Sequence, residues 1–292
     1  MSGKLRLIKR RVKSAQNIAQ LTKAMEMVAA SKMKRAQKQA IEAKPYADKV
    51  EEITTRVVSQ LKKRRAALLK YYAQTKIKRH LVIFVTTNKG LCGSLNSNLF
   101  RKLFMWLTDR PEQTIDFITL GEKGQLVVLK SKYELVADFS NLSDFTQAVG
   151  SLMTLVNQGF TQGKYQAVWL VYNEYLSALK YVPRIKRLLP IAKTSLQQQP
   201  KSRDYEYLFE PSQQQVINKL LPFYLEIQIR DAILEAIASE HSARMMAMKN
   251  ATDNAYSLVD GLTLEYNKVR QQAITAEISD ITTAKISMEA NS

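Results

Sequence analysis

Cysteine is almost missing from this sequence, with Cys92 standing alone among 292 residues. An intramolecular disulfide is therefore excluded, which fits a reducing compartment. Histidine is nearly as scarce, and His80 and His241 are the two present. Two histidines and one cysteine cannot build a zinc site without carboxylates. A Cys–His nucleophile pair would have to come from the same three residues, and a buried, inert thiol is the default expectation for Cys92. No glutamate or aspartate pair stands out as a general acid and base. No apolar run approaches the ~20 residues that cross a bilayer. The start, MSGKLRLIKRRVKSAQNIAQ, is basic but lacks the continuous apolar stretch of a secretory signal.

What is present is enough apolar material for a core, at 46% hydrophobic, in a length that suits one large or two ordinary domains. The formal net charge of +18 is unevenly placed. Residues 1–80 hold 22 Lys and Arg against 5 acids, whereas residues 81–292 hold 22 against 21. An almost neutral body thus carries a strongly basic N-terminal segment, which calls for a negative partner or full solvation. Nucleic acid, an anionic membrane and an acidic protein surface all remain open at this point.

Glycine and proline punctuate the chain sparsely. Neither occurs between Lys4 and Lys44, a stretch of Lys, Arg, Ala, Gln, Met and Glu that favours helix. Apolar residues fall at Leu5, Ile8, Val12 and Ala15, then at Ile18, Leu21, Met25 and Val28, which is helical spacing with one shortened step. Pro45 is expected to end or kink this helix, with a second helical stretch from Tyr46 to Tyr72. At the other end, no proline follows Pro222, and Gly261 is the one glycine beyond it. Alternating steps of four and three from Leu234 pick out Ala238, His241, Met245, Met248, Thr252, Ala255, Val259, Leu262, Tyr266, Val269, Ala273 and Ala276. That is a left-handed coiled-coil seam built from small, flexible or polar residues, suited to a slim pairing with another helix. A helix from Phe223 to Ile281 would be roughly 88 Å long, so much of it is expected to project.

Between about residues 80 and 210 the period changes. HLVIFVTT (80–87), TIDFITL (114–120), Glu134–Phe139 and QAVWLVY (166–172) read as strands. Residues 95–107, 122–131 and 145–160 read as helices between them. Tyr181–Ile191, with Pro183 and Pro190, reads as an edge strand, and Ser195–Ser202 as a loop. This alternation implies an α/β fold with a mostly parallel sheet. The segment NKGLCGSLN (88–96) follows a strand and opens a helix, where a phosphate loop would sit, but it has neither Gly-x-Gly-x-x-Gly nor a Gly-Lys-Ser/Thr end. A tight turn with close-packing glycines is the plainer reading. LRLIKRRVK and LKKRR are plausible phosphate contacts, yet aromatic residues are absent before Tyr46. A membrane-surface helix is also disfavoured, because the apolar face of residues 5–28 has no Trp or Phe.

Several blocks carry a resemblance. IAQLTKAMEMVAASKMKR (18–35), NKGLCGSLN (88–96), YLFEP (207–211), ASEHSARMMAMKNATD (238–253) and YNKVRQQAITAEISDI (266–281) resemble, in order, the γ subunit of F-type ATP synthases. The resemblance implies N- and C-terminal helices wound into an antiparallel coiled coil beside a Rossmann-like domain that binds no nucleotide. Its divisions would be an N-terminal shaft with basic helices at 1–79, the α/β domain at 80–210 and the C-terminal shaft helix at 211–292. It implies a non-catalytic rotor without cofactor or metal, partnered by α and β subunits in a hexamer, an ε subunit and a ring of c subunits. That would place it peripherally on the cytoplasmic face of a bacterial plasma membrane, coupling proton flow to conformational change at the β sites. On the same grounds Met25, Lys32, Lys34, Arg244, Arg270, Gln271 and Thr275 fall at positions that face β or govern coupling. Lys89 stands where many relatives carry Arg, which keeps the charge and gives up the bidentate geometry. The tail TTAKISMEANS (282–292) is more polar than the small apolar tip of relatives. Two readings of other classes stand beside this one: a basic coiled-coil nucleic-acid binder, and a nucleotide-using α/β enzyme with helical extensions.

Overall fold

A computed structural model describes residues 3–60, 78–191, 210 and 212–290. The expected loop at Ser195–Ser202, the YLFEP block apart from Glu210, and residues 61–72 of the second helical stretch lie outside these. In chain order the elements are α1 (Gly3–Gln60), β1 (Arg79–Val85), α2 (Leu95–Thr108), β2 (Thr114–Leu120), α3 (Glu122–Leu129), β3 (Glu134–Asp138), a 3₁₀ turn (Phe145–Ala148) leading into α4 (Val149–Thr161), β4 (Ala167–Ser177), β5 (Lys180–Leu189) and α5 (Gln213–Ala290). The chain folds as two compact units, Met1–Ala29 with Met245–Ser292, and Ala30–Arg244.

In the larger unit the sheet order is β3-β2-β1-β4-β5. β1 pairs in parallel with β2 and β4, and β2 with β3, while β5 runs antiparallel to β4. The edge position expected from Pro183 is therefore occupied by β5, where a missing N–H costs no inner ladder bond. Alternation of side chains builds two cores. Leu81, Ile83, Val85, Val168 and Leu170 meet Leu152 and Val156 of α4, Val50 and Val57 of α1, and Leu221 and Leu225 of α5. Val82, Phe84, Phe117 and Val171 face the other way, against Leu99, Leu103 and Leu107 of α2 and Val128 of α3. With both faces covered, the central strands read as unbroken apolar runs. The architecture is the expected one: long terminal helices in an antiparallel coiled coil with a Rossmann-like sheet domain.

On α1, termination at Pro45 is ruled out and the expected seam is corrected. Pro45 does not end it, since the helix runs on to Gln60. Both Pro45 and Ile41, whose carbonyl loses its i+4 donor, are exposed, so solvent can serve the freed group. The shortened step in the seam is also absent. Ile18, Leu21 and Val28 are 50%, 62% and 56% exposed, while Ala19 and Ala29 are buried. Leu5, Ile8, Val12, Ala15, Ala19, Thr22, Glu26, Ala29, Met33 and Ala36 are buried or half-buried in an unbroken alternation of three and four, with Met25, Ala30 and Gln37 half-buried beside them. On α5, Pro222 likewise lies inside the helix. From Met248 on, Met248, Thr252, Ala255, Val259, Leu262, Tyr266, Val269 and Ala273 are shielded, as the stepping predicts, with Ala251 half-buried beside them, and Ala276 is exposed. Within the smaller unit the two helices meet at Thr252, whose hydroxyl donates to that of Thr22 at 2.7 Å. In the larger unit the Tyr46 and Phe223 rings meet edge to face with centroids 5.9 Å apart. Alanine seams bring backbones close but bury little, about 0.8 kcal/mol per methyl.

Where β2 ends, Gly121 takes φ +103°, and a Cβ there would lie 2.5 Å from the Thr86 carbonyl oxygen. Both the left-handed backbone and the overlap forbid a side chain. Gly121→Ala is expected to cost about 3 kcal/mol in denaturant unfolding of the full chain, through strain and clash together. A loss under about 0.5 kcal/mol, the level of an ordinary surface change, would contradict this geometry.

Candidate functional site

The carboxyl ends of β1 and β4 flank the point where strand order reverses, the usual ligand crevice of a doubly wound sheet. On the other side of β1, at the carboxyl end of β2, the chain's own side chains take up the donors of the following helix. The Thr86 hydroxyl accepts from the Gly124 N–H at 2.8 Å, and Asn88 Oδ1 accepts from the Glu122 N–H at 3.0 Å. Both donors lie in the first turn of α3, where an anion would otherwise bind. Asn88 also donates to the Ser140 carbonyl at 2.8 Å. The loop from β1 to α2 is braced internally: the Thr87 hydroxyl donates to the Lys89 carbonyl at 2.8 Å and accepts from Asn96 Nδ2 at 2.7 Å.

Arg244 of α5 closes this loop from outside. Its guanidinium donates to the Lys89 carbonyl at 3.2 Å and the Gly90 carbonyl at 3.3 Å. One turn back, Glu240 pairs with it at 2.8 Å, and both side chains are largely buried. Arg244 Nη1 also lies 3.5 Å from His241 Nδ1. Arginine has only donors, so that nitrogen accepts and the imidazole is neutral. Burial, reinforced by Arg244 and Lys32, holds His241 down at about 4. Burial pushes the Glu240 carboxyl above the ordinary carboxylate range, against the pull of Arg244, Lys32 and Lys89. One cation therefore pairs with this buried carboxylate, and the charges of two more act on it. The excess positive charge sits on Lys32 and Lys89, which are exposed.

Cys92 lies beneath this cluster, packed with Leu95, Ala243 and Tyr181. Burial raises its thiol, against the lowering effect of Arg244, so it meets the expectation of an inert group. His80 stands at the other end of the sheet, at the start of β1. A separate charged knot ties the amino ends of the strands: buried Asp116 accepts from Arg79 Nε at 2.9 Å and from the Tyr165 hydroxyl at 2.9 Å. It fixes strands to one another. Among the described residues no group of three or more His, Cys, Asp or Glu is arranged to hold a metal. No helix there is long and apolar enough to cross a membrane.

Of the residues picked out in the sequence, Lys32, Lys89 and Arg244 come together at this loop. Lys34 is exposed on α1 in the same unit. Met25, Arg270, Gln271 and Thr275 belong to the two-helix unit. Met25 is half-buried there, while Arg270, Gln271 and Thr275 are exposed, the Thr275 hydroxyl donating to the Gln271 carbonyl at 2.9 Å. Sequence reasoning missed Glu240 and His241 as members of the cluster. The Glu-x-x-x-Arg spacing of 240 and 244 was the available signal, because i and i+4 share a helix face.

Comparison with known proteins covers nearly the whole chain. The family model described as ATP synthase matches residues 4–288. The ATP synthase gamma chain of Roseiflexus castenholzii is 42% identical over 285 residues, spanning 94% of this chain and 95% of that one. The ATP synthase gamma chain of Chloroflexus aurantiacus is 41% identical over 285 residues, spanning 94% and 96%. Among solved structures, a chain of the central stalk and c-ring of the Tetrahymena thermophila mitochondrial ATP synthase has a TM-score of 0.56 at 28% identity, covering 79% of this chain and 99% of its own. A chain of the Euglena gracilis mitochondrial ATP synthase is similar in fold, with a TM-score of 0.67 at 20% identity, covering 100% of this chain and 96% of its own.

Proposed function

The chain belongs to the ATP synthase gamma chain family, and from that premise we propose that it is the central-stalk rotor of an F-type ATP synthase. It turns inside a hexamer of α and β subunits and couples proton flow through a ring of c subunits to conformational change at the β sites. An ε subunit shares the foot of the rotor. The chain itself does no chemistry on ATP and reaches the membrane, at the cytoplasmic face of a bacterial plasma membrane, only through the complex. The observation that carries this reading is identity above 40% with gamma chains across 94% of the sequence.

The physical arrangement supports it. A shaft that turns inside a sleeve must be slim, and the paired helices of the smaller unit bury small seam residues at Ala15, Ala19, Ala29, Thr252 and Ala255. Ile18, Leu21 and Val28, left exposed by that seam, offer an apolar outer face to a surrounding sleeve. An asymmetric shaft in a threefold ring contacts each β subunit differently, so each catalytic site is biased to a different state, and rotation exchanges the biases. Exposed Lys32, Lys34 and Lys89 suit contacts with acidic β surfaces that are individually weak and easily exchanged. Met25, Arg270, Gln271 and Thr275, in the two-helix unit, are assigned to coupling as well. Arg244 acts within the larger unit by holding the Lys89 loop in place.

The test is reconstitution. The purified chain is expected to hydrolyse no ATP alone and to confer rotation-coupled hydrolysis on matching α and β subunits. An α–β assembly that gains nothing from the chain would overturn the assignment.

A further inference from the structure

β4 and β5 form an antiparallel ribbon clasped to α5 at three places. Lys186 Nζ donates to Gln228 Oε1, the Ser239 hydroxyl donates to the Asn173 carbonyl at 3.1 Å, and the Ser242 hydroxyl donates to the Ala178 carbonyl. Glu235 lies on α5 between the first clasp and the other two. Its Oε2 is buried and has no hydrogen-bond partner among the described residues. The groups facing it are Asp231 on its own helix, Glu174 and Tyr172 on β4, and Arg184 and Lys186 on β5. Both cations are engaged elsewhere, Arg184 with Glu174 at 2.8 Å and Lys186 with Gln228. An ionised Glu235 therefore meets two carboxylates and an interface that gives one of its oxygens no donor. The neutral acid fits the same space without that penalty.

We propose that Glu235 is a proton-operated latch: protonated, it lets the ribbon seat on α5, and ionised, it loosens the ribbon. Burial first, and then Asp231 and Glu174, push its carboxyl up to about 7, with Lys186 and Arg184 opposing them. A carboxyl raised in the folded state contributes stability that is full below its unfolded value, near 4.5, and is lost as pH rises through about 7. The ribbon carries the effect onward. Tyr181 of β5 packs on Cys92, Leu95 and Ala243, beside the loop that Arg244 holds. The firmness of the Lys89 loop thus becomes pH-dependent, whatever partner that loop meets.

Hydrogen exchange of the full chain, corrected for intrinsic rates, reads the latch directly. Protection of amides in residues 167–189 is expected to fall about tenfold between pH 6 and pH 8, as a local opening equilibrium shifts. Glu235→Gln should hold the pH 6 protection at pH 8, and Asp231→Asn should move the midpoint to lower pH. Equal ribbon protection at both pH values in the unaltered chain would overturn the proposal, as would an unchanged drop in Glu235→Gln. Should Glu235→Gln fail to fold, a midpoint unmoved by Asp231→Asn is the refuting result.

Discussion

Arg244→Ala is expected to destabilise the full chain by about 3 kcal/mol, the low end of what breaking a buried ion pair costs. The change does more than remove one interaction. It strips the Lys89 and Gly90 carbonyls of their donor and leaves Glu240 without its ion-pair partner. Most of the cost should come from that stranded carboxylate, so Glu240→Gln in the same background should recover a large part of the loss. The pH dependence has a definite sign. Glu240 is raised in the folded chain by burial, so its contribution is greatest below the unfolded value of 4.5 and declines as pH rises through the folded value. Arg244 moderates that rise, and its removal should make the defect grow from pH 5 to pH 8. Arg244→Lys should rescue only partly, because a single ammonium cannot serve two carbonyls, a carboxylate and an imidazole in one plane. Denaturant titrations of the four chains at two pH values check this. A defect that stays constant with pH, or no recovery with Glu240→Gln, would refute it.

The sheet was legible because its signals are local. The apolar runs at 80–87 and 114–120 and the glycine after each strand mark buried parallel strands, and all of them lie where the periodicity puts them. The C-terminal seam was legible for a different reason. Its steps were followed by spacing without regard to size, and the positions so reached from Met248 to Ala273 are shielded. The N-terminal seam is hidden from side-chain bulk, which favours Ile18, Leu21 and Val28 over Ala19, Thr22 and Ala29. Two helices that approach closely select small residues, so the largest apolar side chains are the wrong guide to the contact. The cluster at Arg244 shows a further limit. Lys32, Lys89 and Arg244 are remote in sequence, and only the packing of α1, the β1–α2 loop and α5 within one unit brings them to Glu240. Nothing local in the sequence distinguishes Glu235 from a surface glutamate. Its character comes from the ribbon laid over it.

That difference between seam and outer face sets up the second large effect. Ala19 is fully buried where the two helices meet, one turn from the Thr22–Thr252 contact. Ala19→Leu leaves helix propensity almost unchanged, so any loss measures packing alone. Forcing three more carbons into a closed seam is expected to cost about 2–3 kcal/mol. It should also abolish rotation-coupled hydrolysis in the α–β assembly, since the helices must separate to admit the side chain. Ile18→Ala is the matched control on the neighbouring, exposed position, and should cost under about 0.5 kcal/mol in the isolated chain. In the assembly the control should cease to be neutral and weaken coupling, because the proposed rotor would bear on its sleeve through the exposed Ile18 face. Thermal unfolding of the isolated variants and torque in the reconstituted complex separate the two roles. If Ala19→Leu folds as stably as the parent, the seam is not at Ala19, and if Ile18→Ala leaves torque unchanged, the exposed face carries no load.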